Sequence, residues 1–361
     1  MSEGRILFVP TNGSGLGHLT RLLGLARRIK KLNEELEIIF LSTSPAMHLI
    51  MREGFLGYYQ PARSSFSQDF TVKSWNELLN KLLSTILQLH KPNILVFDGA
   101  TPYDGIVSTF HEHESMQTIW IRREQNKKRP NGQTRNEGSL FDKIIVPGEA
   151  GVEFRKESEH VSYCEPVIYL DKSELLPRET VRKEWRLHPN DKLVYIQLGA
   201  GNINDIHSVI ATIISVVEKR QDVRIVLGES MIGKRLFFDN DKVMILRDYP
   251  NSLYFNAFDL AISAAGYNTF HELMHFSVPT IFIPNENTSR DDQVERATRA
   301  EKSGSGICLI NPGSEELAHA LKKGLDSKIN QEMRESAARL VPKNGADEMA
   351  QLLLTYITKD A

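Results

Sequence analysis

Cysteine is almost absent from the chain. Its 361 residues include two, Cys164 and Cys308, far apart and outside any CxxC or Cys/His cluster. That argues against a disulfide framework and a structural zinc site, and it suits a reducing compartment. Long apolar runs are missing too: none approaches the roughly 18 residues needed to cross a bilayer. The N-terminus Met1-Ser2-Glu3-Gly4-Arg5 leads into a short strand with no signal-peptide pattern. A cytoplasmic protein is expected, with peripheral contact at the inner face of a membrane left open. Neither sign of charge dominates, since 44 Lys+Arg face 46 Asp+Glu for a formal net charge of -2. Such balance gives no overall signal for nucleic acid, which is not expected as a partner; any polyanion contact must be local. Short-period repeats and low-complexity segments are also lacking.

What is present is an ordinary globular composition, 41% hydrophobic and 25% charged. The length suggests two or three domains and supplies apolar surface for two full cores. Short apolar runs alternate with helical spacing. In the first half the runs are Ile6-Leu7-Phe8-Val9, Ile38-Ile39-Phe40-Leu41, Ile94-Leu95-Val96-Phe97, Thr118-Ile119-Trp120-Ile121 and Ile144-Ile145-Val146. A charged stretch from Asp171 to Asp191, with Pro177 and Pro189, breaks the rhythm. The pattern restarts at Leu193-Val194-Tyr195-Ile196-Gln197-Leu198 and continues through Arg224–Leu227, Val243–Leu246, Leu260–Ile262 and Thr280–Ile283. Strands alternating with helices predict an α/β fold: two Rossmann-like domains with mostly parallel sheets. The predicted boundaries are 1–170, a connection over 171–191, 192–345, and a last helix over 346–361. A crossing of that helix back to the first domain is one option.

Ligands of open α/β sheets bind at the carboxyl ends of strands, against helix N-termini. Three constellations fall there. The first is Gly13-Ser14-Gly15-Leu16-Gly17-His18. Its glycines allow a tight turn and close approach to a ligand, and His18 opens the following helix. A helix N-terminus disfavours added positive charge and so favours the neutral imidazole that a general base needs. The competing reading, a dinucleotide fingerprint, fits poorly. The spacing is GxGxG rather than GxGxxG, and the second strand ends in Leu41-Ser42 rather than an acid. The second constellation is Asp98, directly after a buried strand and before Gly99. A carboxylate there can orient His18 and stabilise its protonated form; it can equally cap the next helix. Asp104 is a weaker rival for the same role.

The third constellation runs from Asp259 to Cys308. A strand leads into Ser263-Ala264-Ala265-Gly266-Tyr267-Asn268-Thr269, then a helix through Glu272, then Pro279, a strand, Pro284 and a polar loop ending Asp291-Asp292-Gln293. The small-residue turn lets N–H groups at the helix start face a diphosphate. Glu272, one turn in, can accept from two vicinal ribose hydroxyls, and Asp292 with Gln293 offers groups to a sugar. Thr269-x-x-Glu272 also fits a capping box, and one residue does not decide between these.

The segment from Ala265 through Asn268, Thr269, Glu272, Pro279, Pro284 and Asp292-Gln293 resembles the donor-binding C-terminal half of family 28 glycosyltransferases. Gly13 to His18 resembles the N-terminal loop of the same group, and Gly199-Ala200-Gly201-Asn202 is loosely similar to its second loop. The resemblance implies a GT-B fold, with the two sheets facing a central cleft that binds a nucleotide-sugar. It implies that Glu272 holds the ribose, that the backbone from Gly266 to Thr269 holds the diphosphate, and that Asp292 and Gln293 hold the sugar. Leu246-Arg247-Asp248-Tyr249 falls where the family holds the base by backbone contacts. Asp98 resembles the partner of the histidine in plant-type glucosyltransferases of the same fold. The family's N-acetylglucosaminyl-transferring member has a glutamine pair where this chain has Asp292-Gln293. The transferred sugar is therefore open between a hexose and an N-acetylhexosamine.

The expected activity is inverting, metal-independent transfer from a UDP-sugar, or less favourably a TDP-sugar, to a hydroxyl acceptor. Lipid-linked, polysaccharide and natural-product acceptors all fit. The alternatives are a nucleotide-sugar hydrolase, with which Gly17-His18-Leu19-Thr20-Arg21 is compatible, and a non-catalytic sugar-nucleotide-binding partner. No cofactor is expected beyond the nucleotide-sugar co-substrate. Asp239-Asn240-Asp241 is a DxD that more simply makes a turn, and His111-Glu112-His113 reads as a solvated surface. Arg122-Arg123, Lys127-Lys128-Arg129 and Arg135 form a basic loop, read as solvated in preference to facing an anionic acceptor or membrane. The stripe from Trp75 to Leu87 reads as core in preference to a membrane anchor.

Overall fold

The computed structural model describes residues 4–11, 15–113, 115–123, 137–199, 206–233, 235, 237, 238, 240–288 and 291–358. Gly13, Ser14, Ala200, Gly201, Asn202 and Asp239 lie outside the described residues, as do Lys127, Lys128, Arg129 and Arg135. The chain forms two compact units. One comprises the described residues up to Tyr169 together with those from Gly345 onward, the other Leu170–Asn344.

The first unit runs β1 (Arg5–Pro10), α1 (Gly17–Leu32), β2 (Glu37–Ser42), α2 (Met47–Arg52), β3 (Leu56–Tyr59), α3 (Val72–His90), β4 (Ile94–Asp98), α4 (Asp104–Val107), β5 (Gln117–Ile121), β6 (Lys143–Pro147) and β7 (Val161–Cys164). The strands lie in the order β3-β2-β1-β4-β5-β6-β7, every neighbouring pair parallel. The central strands are buried along almost their whole length, which a sheet covered on both faces requires. Trp75, Leu79, Leu83, Ile86 and Leu87 of α3 pack with Leu7, Val9, Leu95 and Phe97 of the sheet, so the leucine stripe is core. Thr71 caps α3 by accepting from the Ser74 N–H, and Lys91 ends the helix in the left-handed region.

A helix from the far end of the chain, Ala346–Thr358, completes this unit. It is anchored where Gly345 N–H donates to Pro166 O at 2.9 Å, and Asp347 pairs with buried Arg28 of α1 at 3.2 Å. Met349, Ala350 and Leu353 on it are fully buried.

The second unit starts with α5 (Arg178–Glu184). It continues with β8 (Lys192–Gln197), α6 (Ile206–Val217), β9 (Val223–Gly228), β10 (Val243–Leu246), β11 (Leu260–Ser263), α7 (Tyr267–His275), β12 (Thr280–Phe282), α8 (Gln293–Lys302), β13 (Gly306–Cys308), α9 (Ser314–Gly324) and α10 (Ser327–Leu340). Its sheet is parallel throughout, in the order β10-β9-β8-β11-β12-β13. Ile210, Ile213 and Val217 of α6 and Leu317 and Leu321 of α9 cover one face, over Val194, Ile196, Leu260 and Ile262.

Both sheets therefore share one winding. The chain moves outward from the first strand on one side, then returns and moves outward on the other. The direction reverses between β1 and β4, and between β8 and β11. At such a switch point the helices leave in opposite directions, so a crevice opens beyond the carboxyl ends of the two strands. Pro10 and Asp98 stand side by side at the first switch point, Gln197 and Ser263 at the second.

The exit of β4 is tightly pinned. Thr11 N–H and its hydroxyl both donate to Asp98 O, at 3.0 and 3.2 Å, and Trp120 Nε1 donates to Gly99 O at 2.9 Å. A β-carbon on Gly99 would stand 2.7 Å from both Phe97 and Thr11. Gly99→Ala is expected to destabilise the protein by about 1–3 kcal/mol through this overpacking, read as a lowered urea midpoint at unchanged slope.

Candidate functional sites in each unit

The candidate site of the first unit stands at the β1/β4 switch point. Helix α1 begins at Gly17 with Leu16 before it and no side-chain cap, so His18 is the second residue of the first turn. Its Nδ1 lies 2.7 Å from Asp98 Oδ1. Asp98 is almost fully buried at the end of β4, and Arg21, one turn along α1, donates Nε–H to its other oxygen at 3.0 Å. Burial alone would raise the Asp98 carboxyl. The Arg21 guanidinium, then His18, outweigh it and hold the group below the usual carboxylate range. Asp98 is therefore an ionised acceptor, which makes Nδ1 the protonated nitrogen of a neutral His18 and leaves Nε2 with the basic lone pair.

Asp98 does not cap the next helix, because α4 starts after Tyr103. Asp104 opens α4 within its first turn, the position of an acid against a helix N-terminus, and the paired acid of His18 is Asp98. Gly15 and Gly17 are placed just before and at the start of α1, and among the described residues nothing stands within 4 Å of the β-carbon position of Gly15. Arg21 had a sequence signal, its three-residue spacing from His18 on one helix face.

The candidate site of the second unit stands at the β8/β11 switch point. Ala264 N–H donates to Gln197 O at 3.1 Å and Ser263 Oγ to the same oxygen at 3.0 Å, which ties the two strand ends together. Gly266 is the N-cap of α7, and no side chain caps this helix start. Tyr267, Asn268 and Thr269 form its first turn, with N–H groups that have no partner further back in the helix. The capping-box alternative fails here: Thr269 is already inside the helix, and its hydroxyl reaches Gln197 Oε1 at 3.4 Å. Glu272 Oε1 instead accepts from Ser252 Oγ at 3.2 Å. Burial pushes the Glu272 carboxyl up to about 7, and the Ser252 hydroxyl opposes only part of that rise.

Asp292 is the N-cap of α8 and accepts from Glu295 N–H at 3.0 Å. Gln293 Oε1 accepts from Asn285 N–H at 2.9 Å, and its Nε2 lies 3.9 Å from where a β-carbon on Gly266 would stand. Helix starts α7 and α8 are thus neighbours. Arg296, buried and unsuspected from sequence, locks them together by donating to Ala265 O at 2.6 Å and Asp291 Oδ1 at 2.9 Å. Its guanidinium also lies over the Tyr267 ring, 5.6 Å from the centroid.

Arg247 follows β10 directly. Its Nε donates at 3.0 Å to Oε2 of buried Glu229, at the end of β9, and Arg235 donates to the same oxygen at 2.6 Å. Asp248 accepts from Tyr249 N–H at 2.7 Å and from the Tyr254 hydroxyl at 2.7 Å. Gly199, just past β8, has φ +94°, a conformation that needs glycine. Among the described residues no group of three or more His, Cys, Asp or Glu side chains could hold a metal ion. No helix among them is long and apolar enough to cross a membrane.

Comparison with known proteins bears on both halves. Residues 193–353 match the family model described as the glycosyltransferase family 28 C-terminal domain. A UDP-N-acetylglucosamine–N-acetylmuramyl-(pentapeptide) pyrophosphoryl-undecaprenol N-acetylglucosamine transferase of Clostridium perfringens is 24% identical over 312 residues, 83% of this chain and 84% of that one. The enzyme of the same name from Aquifex aeolicus is 30% identical over a shorter 135 residues, 37% of this chain and 39% of its own. Among solved structures, the spinosyn forosaminyltransferase SpnP superposes with TM-score 0.71 at 16% identity, covering 99% of this chain and 100% of that one. MurG of Acinetobacter baumannii gives TM-score 0.63 at 13% identity, covering 98% and 99%. The fold is that of the GT-B enzymes, and the protein is a glycosyltransferase. Its similarity to family 28 runs through residues 193–353, most of the second unit and part of the helix Ala346–Thr358.

The raised Glu272 carboxyl has a consequence for stability. Its folded value near 7 lies above the ordinary 4.5, so the folded state binds this proton more tightly than the unfolded chain. The neutral group's favourable contribution is complete below about 4.5 and is lost as pH rises through about 7. Glu272→Gln cannot ionise. Relative to wild type it is expected to gain on the order of 2–3 kcal/mol between about pH 5 and pH 8, measured from urea unfolding at each pH.

Proposed function

We propose that this glycosyltransferase moves a hexose or N-acetylhexosamine from a UDP-sugar to an acceptor hydroxyl with inversion, and that His18 is the base. The observation that carries this reading is the 2.7 Å contact of His18 Nδ1 with ionised Asp98, which leaves Nε2 basic. A UDP-sugar is favoured by the relatives, whose names specify UDP-N-acetylglucosamine as donor.

In the proposed reaction, Nε2 takes the proton of the acceptor hydroxyl as that oxygen bonds to the anomeric carbon. The bond from that carbon to the diphosphate breaks, and its electron pair leaves with UDP. The imidazolium formed is stabilised by Asp98. The uncapped start of α7 supplies N–H groups and the positive end of a helix dipole to the departing diphosphate. Glu272 accepts from the vicinal ribose hydroxyls. Two O–H donors suit the ionised carboxylate, so the nucleotide restores solvation that burial removes. Gln293 and the Asp292 oxygen not used as a cap face the sugar, and the backbone around Arg247 and Tyr249 holds the base.

Thermal-shift titration with UDP, TDP, GDP and ADP tests the donor half. Ligand at a hundred times its Kd adds about 2.7 kcal/mol, so a UDP-selective rise in Tm is expected, and it should vanish in Glu272→Ala. No shift with any nucleotide would refute the nucleotide-sugar reading. For the base, His18→Ala is expected to lower kcat about 10²–10⁴-fold with donor KM little changed. An unchanged kcat would remove His18 from that role.

A further inference from the structure

His18 and Arg21 are one turn apart on α1, and residues three apart share a helix face. Both reach one carboxylate, His18 on Asp98 Oδ1 at 2.7 Å and Arg21 Nε on Oδ2 at 3.0 Å. Arg21 and Asp98 are each 1% exposed, whereas the His18 side chain keeps 17% of its surface. A fully buried cation thus stands behind a buried anion, which in turn stands behind a histidine open at the site.

Buried alone, a carboxyl is driven towards the neutral acid. A neutral Asp98 could donate its own proton to Nδ1, and the ring would then carry hydrogen on Nε2, the nitrogen that must be unprotonated in a base. Arginine is charged at every working pH and its planar fork fixes direction as well as charge. Arg123 adds a further positive field at Asp98. A buried ion pair is weak evidence for stability in itself, and an anchor of α1 on β4 would not need to share its carboxylate with a histidine.

We propose that Arg21 is a positioning residue: its hold on Oδ2 keeps Oδ1 a pure acceptor for His18 and so selects the tautomer whose Nε2 takes the acceptor's proton. This rests on the reading of His18 as base.

The test uses the full chain labelled with ¹⁵N-histidine. Long-range ¹H–¹⁵N correlation shows which ring nitrogen carries hydrogen, and His18 is assigned by the signal lost in His18→Gln. Wild type is expected to show hydrogen on Nδ1. Arg21→Gln should populate the Nε2–H form and lower kcat for UDP release from UDP-glucose or UDP-N-acetylglucosamine about 10–100-fold, with donor KM unchanged. Arg21→Lys keeps the charge without the fork and should show a smaller fall with partial tautomer exchange. A folded Arg21→Gln with wild-type tautomer and wild-type kcat would overturn the proposal. If that variant does not fold, the same result in Arg21→Lys overturns it. Tautomer exchange in a protein that turns over no UDP-sugar would support the positioning role and reject the proposed donor, so the two ideas fail separately.

Discussion

A parallel sheet covered on both faces has almost no room for polar side chains except at the ends of its strands. That constraint organises the whole molecule. In each unit the interiors of the central strands are almost wholly apolar, and the polar groups that matter gather where strands stop: Asp98 after Phe97, Gln197 after Ile196, Ser263 after Ile262. The winding then decides which strand ends can cooperate. At the switch point two neighbouring strands send their chains to opposite sides, so their ends stay uncovered by the connection between them. Asp98 beside Pro10, and Ser263 beside Gln197, are the products of that geometry.

Two carboxylates, Asp98 buried and Glu272 half-buried, show how differently such positions can be set. Asp98 has a guanidinium on one oxygen and an imidazole on the other, and it stays ionised in spite of its burial. Glu272 has one serine hydroxyl, and burial lifts it to about 7. The first is a finished arrangement whose charge is balanced from within the protein. In the second, a single hydroxyl offsets only part of the cost of burial.

The sequence shows the strands of the sheet interiors plainly, because full burial demands unbroken apolar runs such as Ile94 to Phe97. It does not show the short strands Leu56–Tyr59, Val161–Cys164 and Gly306–Cys308, which lie at sheet edges and mix glycine, serine and tyrosine with apolar residues. The site follows the same division. His18 and Asp98 are visible because they sit at breaks in the pattern. Arg21 is half visible, since its three-residue spacing places it on the His18 face but not its burial, and Arg296 is hidden, because an arginine on a helix normally signals solvent and only tertiary packing reveals a buried one. By spacing alone Glu272 is a capping-box partner for Thr269, and the helix start at Tyr267 removes that role.

The first unit is discontinuous. Its sheet is complete by Cys164, yet α1 is left without the helix Ala346–Thr358, which packs against it through Arg28 and Asp347. During synthesis the N-terminal unit therefore emerges first and is finished last, after the whole second unit has left the ribosome. Domains tend to fold as units in the order of their appearance. Here that order is inverted for completion: the second unit can close on its own contiguous stretch, while the first waits with apolar surface of α1 exposed. The helix Ala346–Thr358 thus acts as a seal on α1, and a truncation that removed it would be felt in the unit that was made first.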